Sequence, residues 1–526
     1  MPQQQPPDPR STRREFLAVA GVAGATGAIA LGGGPVTEAL GHTLRAKSAA
    51  SKPVRGGTLN EARYEAIDGF KLDAITANTT YQAVQAVMEP LVRSNSAANG
   101  YIPGLAESWS HNAAATAWTF RLYPNVRFSN GKLCTSKDVA FSVDTWRSGP
   151  NNGFYYKNIK SVQIHDDRTF TLHLGRPDFT LPSPLSMAIA GVIPENFAGM
   201  SAQQFWLTPI GAGPYVVGKW SISGPINYTR NPHYFRQGLP YLDKIVNTLT
   251  TNGNGSRLAF ISGQLDVVDG VFGTEAGGYP RGSIKWEPVH FTDVLLFNNK
   301  TKPFSNIEAR RAVAYAIDYG GLAKAVYKGY GQTPDGLLSP NVGVYAPPSK
   351  PYFRYDAKLA RELARKAGIV GETLTLVYPP EEENFAEDAA LVAANLKSIG
   401  VTVKLRPEAT PTFLGSVTTN HYDMAIWGYN ASAPDMGNIM AFIAQTDFFF
   451  SGYPSGQLIS ALTKYQEART QAEERKFVQQ AQNIGFNGAG FIALAYSRYG
   501  TAISSKVHGV DPTPYGYYYY DNIWKS

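Results

Sequence analysis

The chain has 526 residues, of which 43% are hydrophobic and 17% are charged. This length predicts about three domains of roughly 150 residues each, with enough apolar side chains for a large core. The formal net charge of +7 is spread without a dense basic run, which argues against nucleic-acid binding. Cys134 is the single cysteine, so the sequence provides neither an internal disulfide nor a thiolate metal cluster.

Residues 1–50 are predicted to be a leader for export. Thr12-Arg13-Arg14-Glu15-Phe16-Leu17 is a twin-arginine pattern, and a run rich in glycine and alanine follows from Ala18 to Leu31. That run is shorter than the ~20 apolar residues of a membrane-spanning helix, so it predicts a signal and not an anchor. The chain's single cysteine, Cys134, lies about a hundred residues beyond this run and not at its end, where a lipid-anchored cysteine would be. We therefore expect the twin-arginine machinery to export a soluble periplasmic or extracellular protein without a lipid anchor.

The first half of the chain is dominated by predicted strands. "AWTFRLY" (117–123) alternates apolar and polar side chains, as a half-buried strand does. "SVQIHDDRTFTLHL" (161–174) predicts a hairpin that turns at Asp166-Asp167-Arg168. "PINYTRNPHYF" predicts a further strand that ends in a turn at Asn231-Pro232.

The second half changes to helices and parallel strands. "NIEARRAVAYAIDYGG" (306–321) predicts a helix capped by Asn306 and ended by Gly320-Gly321, and "AKLARELARKAG" predicts one ended by Gly368. "TLTLVYP" (373–379), an amphipathic helix and "VTVKLRPE" (401–408) form a strand, helix, strand unit. Such a unit predicts a right-handed crossover and a parallel sheet.

Two strand ends of this sheet are the candidate binding site. Open α/β sheets bind ligands beyond the carboxyl ends of their strands. The strand that begins at Met424 ends in Trp427-Gly428-Tyr429-Asn430, and Tyr378 closes "TLTLVYP" just before the acidic run that contains Glu382. We expect both loops to face one cleft. Asp435, which follows shortly afterwards, is a second candidate contact or else the cap of the next helix.

Several stretches, in the right order, resemble one family, the oligopeptide, dipeptide and nickel type of substrate-binding protein that serves ABC importers. The resemblance covers roughly residues 54–526. The stretches that carry it are "IPGLAESWS", "AWTFRLYPNVRFSNGKLCTSKDVAFSVD", "GAGPYVVGKW", "RNPHYF", "ISGQLDVVDG", "LLFNNKTKPFSNIEARRAVAYAID" and "YDAKLARELARKAG".

This resemblance implies an α/β fold in which two lobes of the periplasmic-binding-protein type close around a ligand, with an additional inserted domain. Lobe I is expected from segments 54–91, 209–297 and 491–526, the inserted domain from 92–208, and lobe II from 298–490. It further implies a monomer that hands a small-molecule ligand to the transmembrane subunits of an ABC permease. No catalytic activity, cofactor or metal is expected.

The family's "Gly-Trp-x-Ala-Asp" strand end corresponds here to Ile426-Trp427-Gly428-Tyr429-Asn430. In peptide-binding members that aspartate pairs with the ligand's free amine, and Asn430 replaces it here. A buried ammonium without its carboxylate costs roughly 3–5 kcal/mol. Either Asp435 or the Glu381–Glu383 run replaces the aspartate, or the ligand is a polar molecule with ring or hydroxyl character.

Other residues complete the candidate set. Trp427 and Tyr429 are expected to stack on a flat ligand face, or else to pack in the core. Asn60, Glu61 and Tyr64, near the end of a lobe I strand, are alternative candidates on the opposite side of the cleft. The tyrosine run "YGYYYYDNIW" (515–524) is expected to be scaffold packed on lobe I, as the resemblance implies.

Two other functions remain open from the sequence. A ligand sensor or chemoreceptor adaptor of the same fold would have the same residues. A serine hydrolase is the remote alternative, because Ser129-x-x-Lys132 has the spacing of penicillin-recognising hydrolases. That pair lies in a predicted strand-to-turn segment, where the helical spacing needed to bring the two side chains together is not expected.

Overall fold

The protein is described by a computed structural model over residues 52–75, 78–95, 100–250, 252–287, 291–340, 343–380, 384–430, 433, 435–445, 455–513 and 515–526. The strands, in chain order, are β1 (Thr58–Arg63), β2 (Val92–Ser94), β3 (Tyr101–Pro103), β4 (Ala106–His111), β5 (Ala117–Leu122), β6 (Ile159–Ile164), β7 (Thr169–Leu174), β8 (Tyr215–Val217), β9 (Ile226–Arg230), β10 (Lys244–Leu249), β11 (Val267–Val271), β12 (Ile284–Trp286), β13 (Phe291–Phe297), β14 (Thr373–Tyr378), β15 (Thr402–Pro407), β16 (Met424–Asn430), β17 (Phe491–Ser497), β18 (Gly500–Ile503), β19 (Val507–His508) and β20 (Trp524–Lys525). The helices are α1 (Asn78–Val87), α2 (Ser136–Ser148), α3 (Pro182–Leu185), α4 (Ala202–Leu207), α5 (Gly253–Ile261), α6 (Ile307–Ala316), α7 (Tyr319–Ala325), α8 (Ala357–Ala367), α9 (Phe385–Lys397), α10 (Thr410–Thr418), α11 (Met436–Gln445), α12 (Ser455–Glu467) and α13 (Gln471–Gly488).

Three sheets organise the described residues. The seven-stranded sheet has the order β12-β18-β11-β1-β10-β9-β8, and we call it and the elements packed on it lobe I. The five-stranded sheet, β15-β14-β16-β13-β17, defines lobe II. The four-stranded antiparallel sheet, β4-β5-β7-β6, together with α2, α3 and α4, is called the insert. The residue limits predicted for these three parts stay a prediction.

The strand, helix, strand unit of lobe II is confirmed. β14 pairs in parallel with β15 and also with β16, so the carboxyl ends of β14 and β16 lie at the same edge of the sheet. Between β14 and β15, α9 buries an apolar stripe that includes Phe385, Val392 and Leu396. α8 ends as predicted, because Gly368 adopts the left-handed conformation that favours glycine at a helix end.

The predicted end of the first lobe II helix was wrong. Asn306 caps α6 by accepting a hydrogen bond from the Glu308 amide at 2.9 Å, as expected. The helix ends at Ala316, however, and a second helix, α7, begins at Tyr319 and contains the two glycines. The Asp318 side chain accepts from the Gly321 amide at 2.9 Å and caps α7, so the local cap overrides the weak helix propensity of glycine.

The predicted hairpin of the insert is confirmed as β6 and β7. Its turn is held by Asp166, whose Oδ1 accepts from the backbone amides of Arg168 and Thr169, both at 2.8 Å. The insert contacts lobe II directly, because the Phe179 amide donates to the backbone oxygen of Gln466 in α12 at 2.7 Å. The insert therefore packs directly against α12.

The chain passes from lobe I to lobe II between Trp286 and Phe291, and returns between Ser497 and Gly500. The indole of Trp286 lies 4.6 Å from the ring of Tyr330, which belongs to lobe II. The guanidinium of Arg498 lies over both rings, 5.3 Å from Trp286 and 5.9 Å from Tyr330. An aromatic contact therefore joins the two lobes next to the return passage.

Among the described residues, none of the helices combines the length and the apolar character that crossing a bilayer requires.

Candidate functional site

The end of β16 lies at the edge of lobe II that was predicted to face the cleft. Trp427 is half-buried, and its indole stacks on Phe413 of α10 with ring centroids 5.1 Å apart and lies 6.2 Å from Phe385 of α9. Tyr378, at the end of the neighbouring β14, is 8% exposed. The predicted pair of strand ends is therefore adjacent, and Trp427 is braced by lobe II with part of its surface open.

Gly428 and Tyr429 have structural roles within lobe II. A Cβ atom at position 428 would lie 2.1 Å from the ring of Phe291, so only glycine fits beneath that ring. Tyr429 is 5% exposed, and its hydroxyl donates to the backbone oxygen of Leu337. Its ring meets Phe491 edge-on. This placement favours the core-packing alternative for Tyr429 over stacking on a ligand.

Asn430 joins lobe II to the tyrosine run. Its Nδ2 atom donates to the backbone oxygen of Tyr515 at 3.4 Å. The run itself is anchored on lobe I, where the hydroxyls of Tyr518 and Tyr520 donate to the carboxylate of Glu61 in β1. The side chain of Asn430 therefore lies where lobe II meets a segment held by lobe I.

Asp435 caps α11 and retains acceptor capacity. Its Oδ1 accepts from the Gly437 amide at 2.7 Å, and its Oδ2 accepts from the Tyr465 hydroxyl at 3.1 Å. Glycine is required at position 437, because a Cβ atom there would lie 2.6 Å from Oδ1. Burial, assisted by the charges of Glu474 and Asp178, raises the pKa of Asp435 to about 7. No ion pair formed within the described ranges includes Asp435.

One tyrosine contacts this carboxylate, and two others lie within range of its charge. Tyr465 belongs to α12, and the charge of Asp435 also helps burial to raise the pKa of Tyr101 in β3 and of Tyr515. Tyr515 is 2% exposed, and its hydroxyl has no hydrogen-bond partner among the residues that the structure describes. A buried polar group without a partner costs about 1–3 kcal/mol, so this hydroxyl is a candidate contact for a ligand.

A cavity of about 360 Å³ opens beside Asp435, between the insert and helices α11 and α12 of lobe II. This volume lies within the range of small-molecule pockets. Lobe II contributes Asp435 and Asn438, and the insert contributes the adjacent aromatic rings of Phe154 and Tyr155. The insert wall also contains Lys157, Lys160 and Arg176.

Two of the lobe I candidates lie at different depths of β1. Tyr64 directly follows the strand, and its ring lies 5.7 Å from Phe272 and 5.9 Å from Tyr499, in the return passage between the lobes. The backbone amide of Asn60 donates to Asp266 at 2.8 Å, four residues before Tyr64 and so about 13 Å along the strand. Tyr64 is thus near the junction of the lobes, whereas Asn60 is set back from it.

Glu382 lies outside the described residues. The residues that sequence reasoning missed are Tyr101, Tyr465 and the cations of the insert wall. No short-range pattern marks them, because the chain separates them from Asp435 by dozens to hundreds of residues. Tyr515 was visible in the tyrosine run, but it was assigned to the scaffold with its neighbours.

The residues considered for catalysis and for metal binding have the following surroundings. Ser129 and Lys132 lie in a tight turn, where the Phe128 amide donates to the backbone oxygen of Lys132 at 2.9 Å, and not on the helix that a Ser-x-x-Lys pair requires. Among the described residues, no three His, Cys, Asp or Glu side chains are grouped as metal ligands.

Comparisons with known proteins identify what the chain resembles. Residues 100–449 match the family model described as "Bacterial extracellular solute-binding proteins, family 5 Middle". The "Dipeptide-binding protein" of Escherichia coli (strain K12) is 23% identical over 92% of this chain and 97% of its own length. "Heme-binding protein A" of Haemophilus influenzae is 25% identical over 85% of this chain and 89% of its own length.

Solved structures show the same fold. The PBP AgaA from A.tumefacien R10, in complex with agropinic acid, matches with a TM-score of 0.79 and 21% identity, covering 89% of this chain and 99% of that one. A dipeptide-binding protein from pseudoalteromonas sp. SM9913, in complex with Met-Leu, matches with a TM-score of 0.81 and 19% identity, covering 89% of this chain and 100% of that one. The predicted two-lobed α/β fold is confirmed.

Proposed function

Because the chain belongs to the bacterial extracellular solute-binding proteins of family 5, we propose that it captures a compact, peptide-like ligand whose free amine pairs with Asp435. The chain is a binding component of ABC import and not an enzyme. An ABC permease is accordingly the partner that receives the ligand.

The half-buried carboxylate of Asp435, opening on a cavity, carries this proposal. Asp435 accepts two neutral hydrogen bonds but lies near two further acidic side chains, and no ion pair within the described part of the chain compensates its charge. A ligand ammonium supplies the missing cation and satisfies the spare lone pairs of the carboxylate. Asp435 thereby takes the role that the resemblance assigned to the position of Asn430.

The remaining contacts favour a ligand with further polar groups. The hydroxyl of Tyr515 has no partner among the described residues and Trp427 is half-buried, so the proposal assigns a ligand hydrogen bond to the first and a ring contact to the second. The relatives are named for dipeptides and for heme, and one solved structure holds agropinic acid. Since such different ligands share one fold, the side chains of the site must determine the ligand.

Ligand binding is proposed to favour the closed arrangement of the lobes. Asp435 belongs to lobe II, whereas Tyr515 belongs to the segment anchored on lobe I, and the proposal is that one ligand contacts both in the closed state. Only this difference in contacts between open and closed states shifts the equilibrium. Small-angle scattering with and without a saturating dipeptide tests the point, and an unchanged radius of gyration would count against closure.

The ligand class is tested with two matched peptide pools. Native mass spectrometry of freshly purified protein first identifies any retained small molecule. The ligand-free protein is then screened by thermal shift against a pool of dipeptides with free termini and against the same pool N-acetylated. We expect stabilisation by the free-amine pool only. Equal stabilisation by the N-acetylated pool would refute the pairing of an amine with Asp435.

Export by the twin-arginine machinery, with accumulation as a soluble monomer outside the cytoplasm, is proposed from residues 12–17. Replacing both Arg13 and Arg14 with lysine should leave the protein in the cytoplasm, and cell fractionation measures this. Unimpaired export of that double variant would exclude the twin-arginine route. Size-exclusion chromatography with light scattering measures the oligomeric state.

A further inference from the structure

The two walls of the cavity beside Asp435 have opposite charge. The lobe II wall contributes the Asp435 carboxylate, and the insert wall contributes the cations Lys157, Lys160 and Arg176. Within the described ranges, no ion pair includes any of these three cations. Arg176 instead donates to the side-chain oxygen of Gln466, which lies next in sequence to the tyrosine that contacts Asp435.

We propose that the cations of the insert wall bind a carboxylate of the same ligand whose amine reaches Asp435, so that the insert selects amphoteric solutes. This inference rests on the proposed function. It adds the carboxylate of the ligand as a second recognised group and names the insert as the part of the protein that binds it. Lysine and arginine side chains are the usual partners of carboxylates. The cavity volume of about 360 Å³ limits how far apart the amine and the carboxylate of the ligand can be.

The local charges favour a monoanion. Burial raises the pKa of Asp178, and the nearby Arg176 guanidinium acts against that rise, so Arg176 already has an acidic neighbour. Lys157 and Lys160 are exposed at the cavity, and the Lys160 ammonium donates to the backbone oxygen of Lys157 at 3.0 Å. Two exposed ammonium groups and one guanidinium with an acidic neighbour suit a carboxylate better than a dianionic phosphate.

The test compares dipeptides with free termini against two matched pools, one amidated at the C-terminus and one acetylated at the N-terminus. Binding to the full exported chain is measured by thermal shift and then by calorimetry on individual members. We expect amidation to weaken binding about 5- to 30-fold, the contribution of one or two partly screened charge contacts. The weakening should shrink as the NaCl concentration is raised.

Two variants test whether the insert causes the weaker binding of amidated dipeptides. The double variant K157Q/K160Q removes exposed charges without touching the core, and K137Q removes a matched exposed lysine of the insert that does not line the cavity. We expect K157Q/K160Q to bind free and amidated dipeptides almost equally. K137Q should keep the wild-type preference for the free carboxylate.

The outcomes separate the two proposals. If amidated and free dipeptides bind equally well while acetylation abolishes binding, the insert inference is wrong and the proposed function stands. If acetylation has no effect, the pairing of an amine with Asp435 fails. If K157Q/K160Q keeps the full preference for the free carboxylate, the insert is not the selecting element. If no member of any pool binds, both proposals are overturned.

Discussion

Two carboxylates, one in lobe I and one in lobe II, have contrasting surroundings. Glu61 of lobe I is 0% exposed and accepts hydrogen bonds from the hydroxyls of Tyr518 and Tyr520 and from the Nδ2 atom of Asn247, the last at 2.7 Å. Asp435 of lobe II is half-buried, opens on a cavity and accepts two hydrogen bonds. Burial raises the pKa of both groups above the usual range of carboxylic acids.

The difference separates a structural carboxylate from one suited to binding. At Glu61 every donor comes from the chain itself, and the nearby guanidinium of Arg63 acts against the effect of burial on the pKa. At Asp435 the charges of Glu474 and Asp178 add to the effect of burial on the pKa, and no ion pair within the described residues offsets them. The same change, from carboxylate to amide, should therefore affect stability in opposite directions at the two positions.

The largest expected effect is on binding by D435N. Removing one partner of a buried, hydrogen-bonded charge pair costs about 2–5 kcal/mol, so affinity for a bound free-amine dipeptide should fall roughly 30- to 3,000-fold. Without ligand, D435N should be at least as stable as the wild type, because an uncompensated charge is removed. Calorimetry and urea unfolding measure the two quantities.

The control for this variant is D144N, at an exposed carboxylate of the insert. An affinity of D435N within threefold of the D144N value would show that Asp435 does not contact the ligand.

The next effect concerns pH. Asp435 titrates at about 7 in the ligand-free fold and near 3.9 when unfolded, so the folded chain binds the extra proton between these values. This contribution to stability is present at low pH and is lost as the pH rises through 7. Only the ionised form attracts an ammonium group, so dipeptide affinity should fall up to about tenfold per pH unit between pH 7 and pH 5.

D435N supplies the comparison, since its dipeptide affinity should depend much less on pH between pH 7 and pH 5. Parallel profiles in the two proteins would place the titrating group elsewhere.

A smaller effect is expected from E61Q, on stability and not on binding. An amide at this position turns a donor towards donors whichever way it is oriented, and leaving such groups unsatisfied costs about 1–3 kcal/mol. The midpoint of urea unfolding should fall accordingly, while dipeptide affinity of the folded variant stays near the wild-type value. If E61Q lost more dipeptide affinity than D435N does, Glu61 and not Asp435 would be the carboxylate that matters for binding.

The smallest effect is expected from Y515F. The hydroxyl has no partner within the described chain, so its removal should leave the ligand-free protein equally stable or slightly more stable. If the ligand uses that hydroxyl, affinity should fall about 3- to 10-fold, the contribution of one neutral hydrogen bond. Y517F is the neighbouring control, because the Tyr517 hydroxyl lies 3.4 Å from Ser94. Equal effects of the two variants would indicate general loosening of the segment.

The architecture of lobe II was largely predictable from local patterns. The alternation in β14 and β15, the apolar stripe of α9 and the glycine that ends α8 each act within a few residues, and all three appear where they were expected. The end of α6 was missed, because Asp318 starts a new helix across two glycines. Two local signals competed there, and the cap formed by the Asp318 side chain prevailed over the two glycines.

The site was predictable only in part, for a different physical reason. The sequence located the end of β16 and named both Asn430 and Asp435, yet it did not indicate that Tyr429 would be covered by Leu337 and Phe491. Which side chains cover a strand depends on elements that lie far away in the chain. The same holds for Tyr101, which reaches the neighbourhood of Asp435 only through the tertiary fold.

The contact between Trp286 and Tyr330 has a practical consequence. An indole held against a phenol, with a guanidinium over both rings, is an intrinsic optical reporter at the boundary between the two lobes. Separation of the lobes would expose the indole to water and shift its emission to longer wavelength. The kinetics of opening can thus be followed in stopped flow without attaching a dye.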